Sequence, residues 1–201
     1  MNTGRTALVL CLIFLLPAAG FAEAPLRLAG FMLGDELSKY EDLVDMQTRV
    51  PLRFSRSIDA VDVQNQAGFK YGMIWVGTCT VPNRIVSIRM KYADPSKKFY
   101  DELLKRFKKR FGEPSEWRGD PFHIVISWKW SFVDEQKNRI SMILQHNQKD
   151  EDETVGNTVK LTMWNLIEAE RHCEDKKSSQ PTGRSTKTEA EPPNWDLLIP
   201  R

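Results

Sequence analysis

The chain has little of what most enzymes advertise. Histidine and cysteine occur three times each in 201 residues, and no two of either lie at metal-ligand spacing. No H-E-x-x-H, C-x-x-C, G-x-S-x-G or phosphate-binding glycine loop is present, which excludes the commonest zinc, redox, nucleophile-elbow and nucleotide motifs. The acidic run Asp150-Glu151-Asp152-Glu153 lacks the spacing of a calcium loop, so no metal and no cofactor is expected. A formal net charge of +2 makes no electrostatic case for nucleic acid. No repeat recurs at solenoid periods, and no segment after the N-terminus approaches the roughly 18 apolar residues of a membrane span.

What is present begins with an address. Arg5, the apolar stretch ALVLCLIFLLPAAGF and the small-x-small sequence Ala22-Glu23-Ala24 form a secretory signal, with cleavage expected after Ala24. Retention as an N-terminal anchor is the alternative. Lipidation is disfavoured, because Cys11 lies inside the apolar run. The signal removes one base (Arg5) and one acid (Glu23), so the charge balance is unchanged. The expected location is periplasmic or secreted, and the exported chain retains Cys79 and Cys173. Two cysteines in an oxidising compartment form one disulfide most simply. It closes a loop of about 95 residues, for which chain entropy predicts roughly 4 to 5 kcal/mol. A reactive Cys173 beside His172 is the weaker reading, since adjacent side chains point apart.

The period of the hydrophobic pattern then changes along the chain. Residues 35–45 read as a short amphipathic helix, and 51–65 as ambiguous but extended. GFKYGMIWVGTC (68–79) and NRIVSIRMKY (83–92) alternate as a hairpin, with Val86, Ile88, Met90 and Tyr92 on one face. DPSKKFYDELLKRFKKRFGEP is the clearest helix, 96–111, capped by Asp94 or Ser96 and closed by Gly112 and Pro114. Strands near 122–133, 138–147 and 157–164 follow, then a terminal helix from 165 to Cys173. Beyond Glu174 the composition is polar and proline-containing, the signature of a disordered tail, yet it ends in WDLLIPR.

The aromatic strand IVISWKWSFVD can be read by faces. Ile124, Ile126, Trp128, Trp130 and Phe132 point one way. A loop at 134–138 sets Phe132 opposite Ile140, Trp130 opposite Met142 and Trp128 opposite Leu144, and Val159, Leu161 and Met163 continue the surface. The helix stripe Phe99, Leu103, Phe107 and Phe111 is its natural cover. Trp75, in phase with Met73, is expected in the same core. Trp164 and Ile143 fall on the opposite face, as candidates for exposure or a second layer.

Few surfaces remain to carry function. Trp117, in a loop beside Gly119, is a candidate partner-binding aromatic. Trp195, Leu197, Leu198 and Ile199 form an apolar end that either folds back, binds a partner or stays unstructured. Lys97, Lys98, Lys105, Lys108 and Lys109 line the outer face of the long helix, either as solvated surface or as a contact for an anionic membrane or acidic partner.

Two phrases, GFMLGDEL and KKRFGEP, carry a resemblance. Each has a glycine at an element end, the second in an aromatic-Gly-x-Pro closure. They resemble small exported bacterial envelope proteins of the small-protein-A type, which act in outer-membrane assembly. That resemblance implies helices on one face of an antiparallel sheet and a non-enzymatic envelope role, and it transfers no functional residue. The chain departs from the group in lacking a lipidated cysteine and in having more strands.

The resulting expectation is an α+β protein. Its sheet is mainly antiparallel, of about five strands, with helices packed on one face. Residues 1–24 are the signal, 25–173 the single domain and 174–201 the tail. The expected function is an exported binding or assembly module of the cell envelope, with an envelope protein or anionic membrane surface as partner. Two alternatives stand beside it: a small hydrolase built on Asp120, His123 and His146, and a small-ligand carrier needing an apolar pocket between helix and sheet.

Overall fold

A computed structural model describes residues 23–149 and 155–179. The elements in chain order are β1 (Arg27–Leu28), β2 (Phe31–Met32), a 3₁₀ helix (Leu37–Leu43), β3 (Val44–Pro51), β4 (Ile58–Val63), β5 (Phe69–Gly77) and β6 (Ile85–Tyr92). Then come α1 (Lys97–Phe111), β7 (Glu116–Trp117), β8 (Val125–Val133), β9 (Arg139–Asn147), β10 (Gly156–Met163) and α2 (Trp164–Ser179).

Eight strands form one sheet in the order β3-β4-β5-β6-β10-β9-β8-β7, and every neighbouring pair is antiparallel. The fold is therefore α+β, but the sheet is wider than the five strands expected. Strands β3, β4 and β7 are the additions. β3 is mostly exposed, so it lacks the alternation that marks a half-buried strand. β4 is apolar on both parities, and β7 is two residues long. Topologically, two four-strand meanders are joined through the β6–β10 pair, and α1 is the crossover between them.

The register of β8 on β9 is the one the loop length predicts: Phe132 pairs with Ile140, Trp130 with Met142 and Trp128 with Leu144. This places Trp130, Ile140, Met142, Leu144, Val159 and Leu161 in the core, with Trp128 and Phe132 packed at its edge. Helix α1 covers them. Phe107 lies 5.9 Å from Trp130 and Phe111 5.9 Å from Phe132, ring centre to ring centre. Ser96 Oγ accepts from the Phe99 amide at 3.2 Å, which makes serine the N-cap. Gly112, at φ 79°, closes the helix in the left-handed region. The Gly112 carbonyl then accepts the Trp130 indole N–H at 2.8 Å, so the helix end and the central tryptophan lock together.

Three expectations change. A bulge opposite the Trp75/Val76 step brings Ile85 into the main cluster, so Val86 does not continue the Ile88–Met90 row. Trp75 lies on the face opposite α1, because Ile74 pairs with Ile88 and occupies the inward parity. Helix α2 does not share the α1 face: Trp164, Ile167 and Arg171 stand over Trp75, Lys160 and Thr162, while Leu166 reaches the core. It also runs six residues past Cys173, to Ser179.

Trp130→Ala should destabilise the fold by about 3 to 5 kcal/mol, read from urea unfolding. Trp128→Ala, at a half-buried position, should cost less.

Candidate functional site

Of the residues singled out from sequence, Asp120 and His123 share one turn, the His123 amide donating to the Asp120 carbonyl at 3.2 Å. Asp120 is engaged by its own loop, accepting from the amides of Phe122 and Val125. Those backbone bonds, led by that of Val125, hold its carboxyl below the usual range. His123 stands beside Trp117, 5.5 Å between ring centres. His146 is buried on the core face, its Nδ1 2.7 Å from Asn157 Oδ1 and its ring against Tyr100. Asn157 in turn donates to the carbonyls of Asp94 and Ser96, so this buried group anchors the start of α1. None of the three supplies a wall to the cavities below.

Trp117 is half-buried, edge-on to Trp128 at 4.7 Å. A side chain at position 119 would strike its ring at 2.3 Å, so Gly119 makes room for it. Among the helix lysines, Lys97 pairs with Asp101, and Lys108 with Glu113 at 2.7 Å while lying 5.9 Å from the Trp128 ring. Lys98, Lys105 and Lys109 are exposed. Trp195, Leu197, Leu198 and Ile199 lie outside the described residues.

The feature that sequence reading missed is built by α2. Its spacing sorts two sets of residues: Glu170, Cys173 and Glu174 hold the helix down, while Trp164, Ile167 and Arg171 line a hollow. Cys173 is bonded to Cys79, with Cα atoms 6.0 Å apart. Glu170 is buried, and its carboxylate accepts four successive backbone amides, from Thr78 (3.2 Å), Cys79 (2.7 Å), Thr80 (3.0 Å) and Val81 (3.2 Å). Such a run of amides is an anion nest. Gly77 makes the approach possible, since a β-carbon there would lie 2.5 Å from Glu170 Oε1. Glu174 accepts the Arg56 amide at 3.2 Å and the Ser57 hydroxyl at 3.0 Å, tying α2 to the β3–β4 loop as well.

Held there, α2 roofs part of the outer sheet face. The cavity beneath it measures about 400 Å³ and is walled by Leu52, Phe54, Ile58, Trp75, Trp164 and Ile167, with Lys160 on its floor and Arg171 at the rim. That volume is within the roughly 300 to 1,000 Å³ of small-molecule sites. Trp164 donates to Ser141 Oγ at 2.9 Å and stands as a partition. Beyond it lies a second hollow of about 380 Å³, bordered by Lys129, Ser131 and Arg139. A larger hollow of about 580 Å³ near Pro25 and Arg110 is bounded by the first described residues, and its arginines are exposed.

Lys160 is the unusual group. It pairs across the sheet with Arg89, and like charges directly opposite are unfavourable. Its Nζ lies 3.9 Å from the centre of the Trp75 ring, a cation–π contact reaching across β6. No acid among the described residues forms an ion pair with Lys160, Arg89 or Arg171. Burial, reinforced by the Arg89 charge, lowers the Lys160 pKa to about 8. The signal for this site in the sequence was weak: apolar Met73, Trp75, Ile143 and Trp164 on an otherwise polar face.

No family model, curated protein or solved structure matches the chain.

Two outcomes follow from this geometry. Glu170→Gln leaves the amide nest without a carboxylate and should cost roughly 2 to 3 kcal/mol in urea unfolding. Glu168→Gln, at the exposed Arg139 pair, should stay within about 0.5 kcal/mol. Lys160→Met should raise Tm at pH 7, because the native state then no longer holds a desolvated ammonium beside Arg89. A base with a lowered native pKa costs stability below about pH 8, and the cost fades toward its unfolded value near 10.4. The gain over wild type should therefore shrink between pH 7 and pH 10, as calorimetry would register.

Proposed function

We propose that this protein is an exported binding module of the bacterial cell envelope and that the cavity under α2 is its binding site. The observation that carries this reading is the cavity itself: about 400 Å³, aromatic-walled, and floored by a lysine with no acidic partner among the described residues. Among the expectations from sequence, the small-ligand carrier required an apolar pocket between helix and sheet, and this hollow fits that requirement.

Export is supported by the N-terminal signal pattern and by the Cys79–Cys173 disulfide, which belongs to an oxidising compartment. No helix of the described residues is long and apolar enough to cross a membrane. The small-protein-A resemblance supports an envelope role, and its three motif glycines adopt positive φ, Gly30 at 89°, Gly34 at 82° and Gly112 at 79°. The lysine face of α1 is kept as a second contact, for an anionic membrane surface or an acidic envelope partner. Its exposed members are Lys97, Lys98, Lys105 and Lys109.

A neutral apolar fluorophore, N-phenyl-1-naphthylamine, tests the cavity without electrostatics. Wild type should enhance its emission with micromolar affinity, and Trp75→Ala should weaken that at least fivefold. Phe122→Ala, at an exposed aromatic elsewhere (83% exposed), should change nothing. Equal binding by wild type and Trp75→Ala would refute the site.

A further inference from the structure

Resting on the reading of the α2 cavity as a binding site, we infer that its ligand is a small amphipathic monoanion. An oxyanion head, carboxylate or sulfonate, sits on Lys160, and an aromatic or acyl body lies against Trp75, Ile58 and Ile167.

Charge complementarity carries this assignment. At the centre of the sheet β6 and β10 set Arg89 against Lys160, yet no described carboxylate neutralises either. The neighbouring positions explain why the lysine is retained where it is: Ile143 flanks it on β9 and Trp75 receives its ammonium from β5. Charged groups of α2 at this cavity are Arg171, exposed at the rim, and Glu174. Glu174 is committed to the Arg56 amide and the Ser57 hydroxyl. Protein groups therefore supply a lysine floor and apolar walls, and the one carboxylate of the lining, Glu174, forms no ion pair with Lys160. A ligand oxyanion would relieve the Arg89–Lys160 repulsion and the desolvation of Lys160 at once. Its body would replace water against Trp75 and Ile58. One head suffices, because a single ammonium lies on the floor and the volume is at the small end for ligand sites.

Binding should also be coupled to protonation. Desolvation lowers the Lys160 pKa to about 8 in the free protein, and a bound anion raises it again. Affinity for a non-titrating anion should thus be flat below pH 7 and fall by up to tenfold per pH unit above about 8, the limit for one linked proton.

The probe is 1-anilinonaphthalene-8-sulfonate, an aromatic monoanion that stays charged throughout, titrated in parallel with neutral N-phenyl-1-naphthylamine. Lys160→Met should weaken the anilinonaphthalene sulfonate at least tenfold and leave the neutral probe within twofold. Lys160→Arg should retain the anion and lose the pH dependence above 8. Lys137→Gln, in the exposed β8–β9 loop, should match wild type. Displacement by dodecanoate supports an acyl body and displacement by 1-naphthoate an aromatic one; each supports the proposal. Anion binding unchanged in Lys160→Met, or equal displacement by dodecanol and naphthalene, would overturn it. Loss of neutral-probe binding in wild type would instead remove the binding site itself, so the two failures are distinguishable.

Discussion

The pairing of β6 with β10 is the constraint on which the rest of the molecule depends. It joins two meanders that would otherwise be separate four-stranded ribbons. On its inner face, Ile88 against Leu161 and Met90 against Val159 form the middle of the core. On its outer face the same register puts Arg89 against Lys160. Because side chains alternate strictly along a strand, these two outcomes cannot be separated. The register that buries four aliphatic side chains also brings two cations together, and hydrophobic burial decides it.

The outer face carries a hollow only because a second layer is fastened over part of it. Helix α2 has little amphipathic character of its own. Its position comes from discrete attachments: the Cys79–Cys173 bond, the Glu170 carboxylate in its nest, and Glu174 on the β3–β4 loop. A covalent bond and a charge-assisted hydrogen-bond cluster one turn apart restrain both translation and rotation of the helix. Ile167, just before these anchors, and Arg171, between them, are consequently held over Trp75 and Lys160. Rigid placement of this kind keeps a cavity open that apolar collapse would otherwise close.

Much of the inner half of the fold was legible in the residues. The alternation through Ile124–Phe132, the length of the 134–138 loop and the Phe99–Phe111 stripe led to the observed β8–β9 register and the α1 cover. The outer half was not legible, for a physical reason that Trp75 illustrates. In Phe69–Gly77 both parities are apolar, so the pattern does not say which row goes inward. The β-branched Ile74 and Val76 fill the core beside Ile88, and the larger Trp75 turns outward. Lys160 looked like one more solvated strand residue, because nothing local signals a helix arriving above it.

By itself the sequence determined the oxidised pairing of Cys79 with Cys173, the extent of α1 and the β8–β9 part of the core, because each follows from local chemistry or from periods of 2 and 3.6 residues. Only the tertiary structure decided that eight strands share one sheet, that Trp75 and Lys160 meet across β6, and that α2 lies over them. Those facts depend on contacts between residues some 85 to 120 positions apart, such as Trp75 with Lys160 and Ser57 with Glu174. Such contacts are selected by the free energy of the whole packed molecule, and no window of neighbouring residues encodes them.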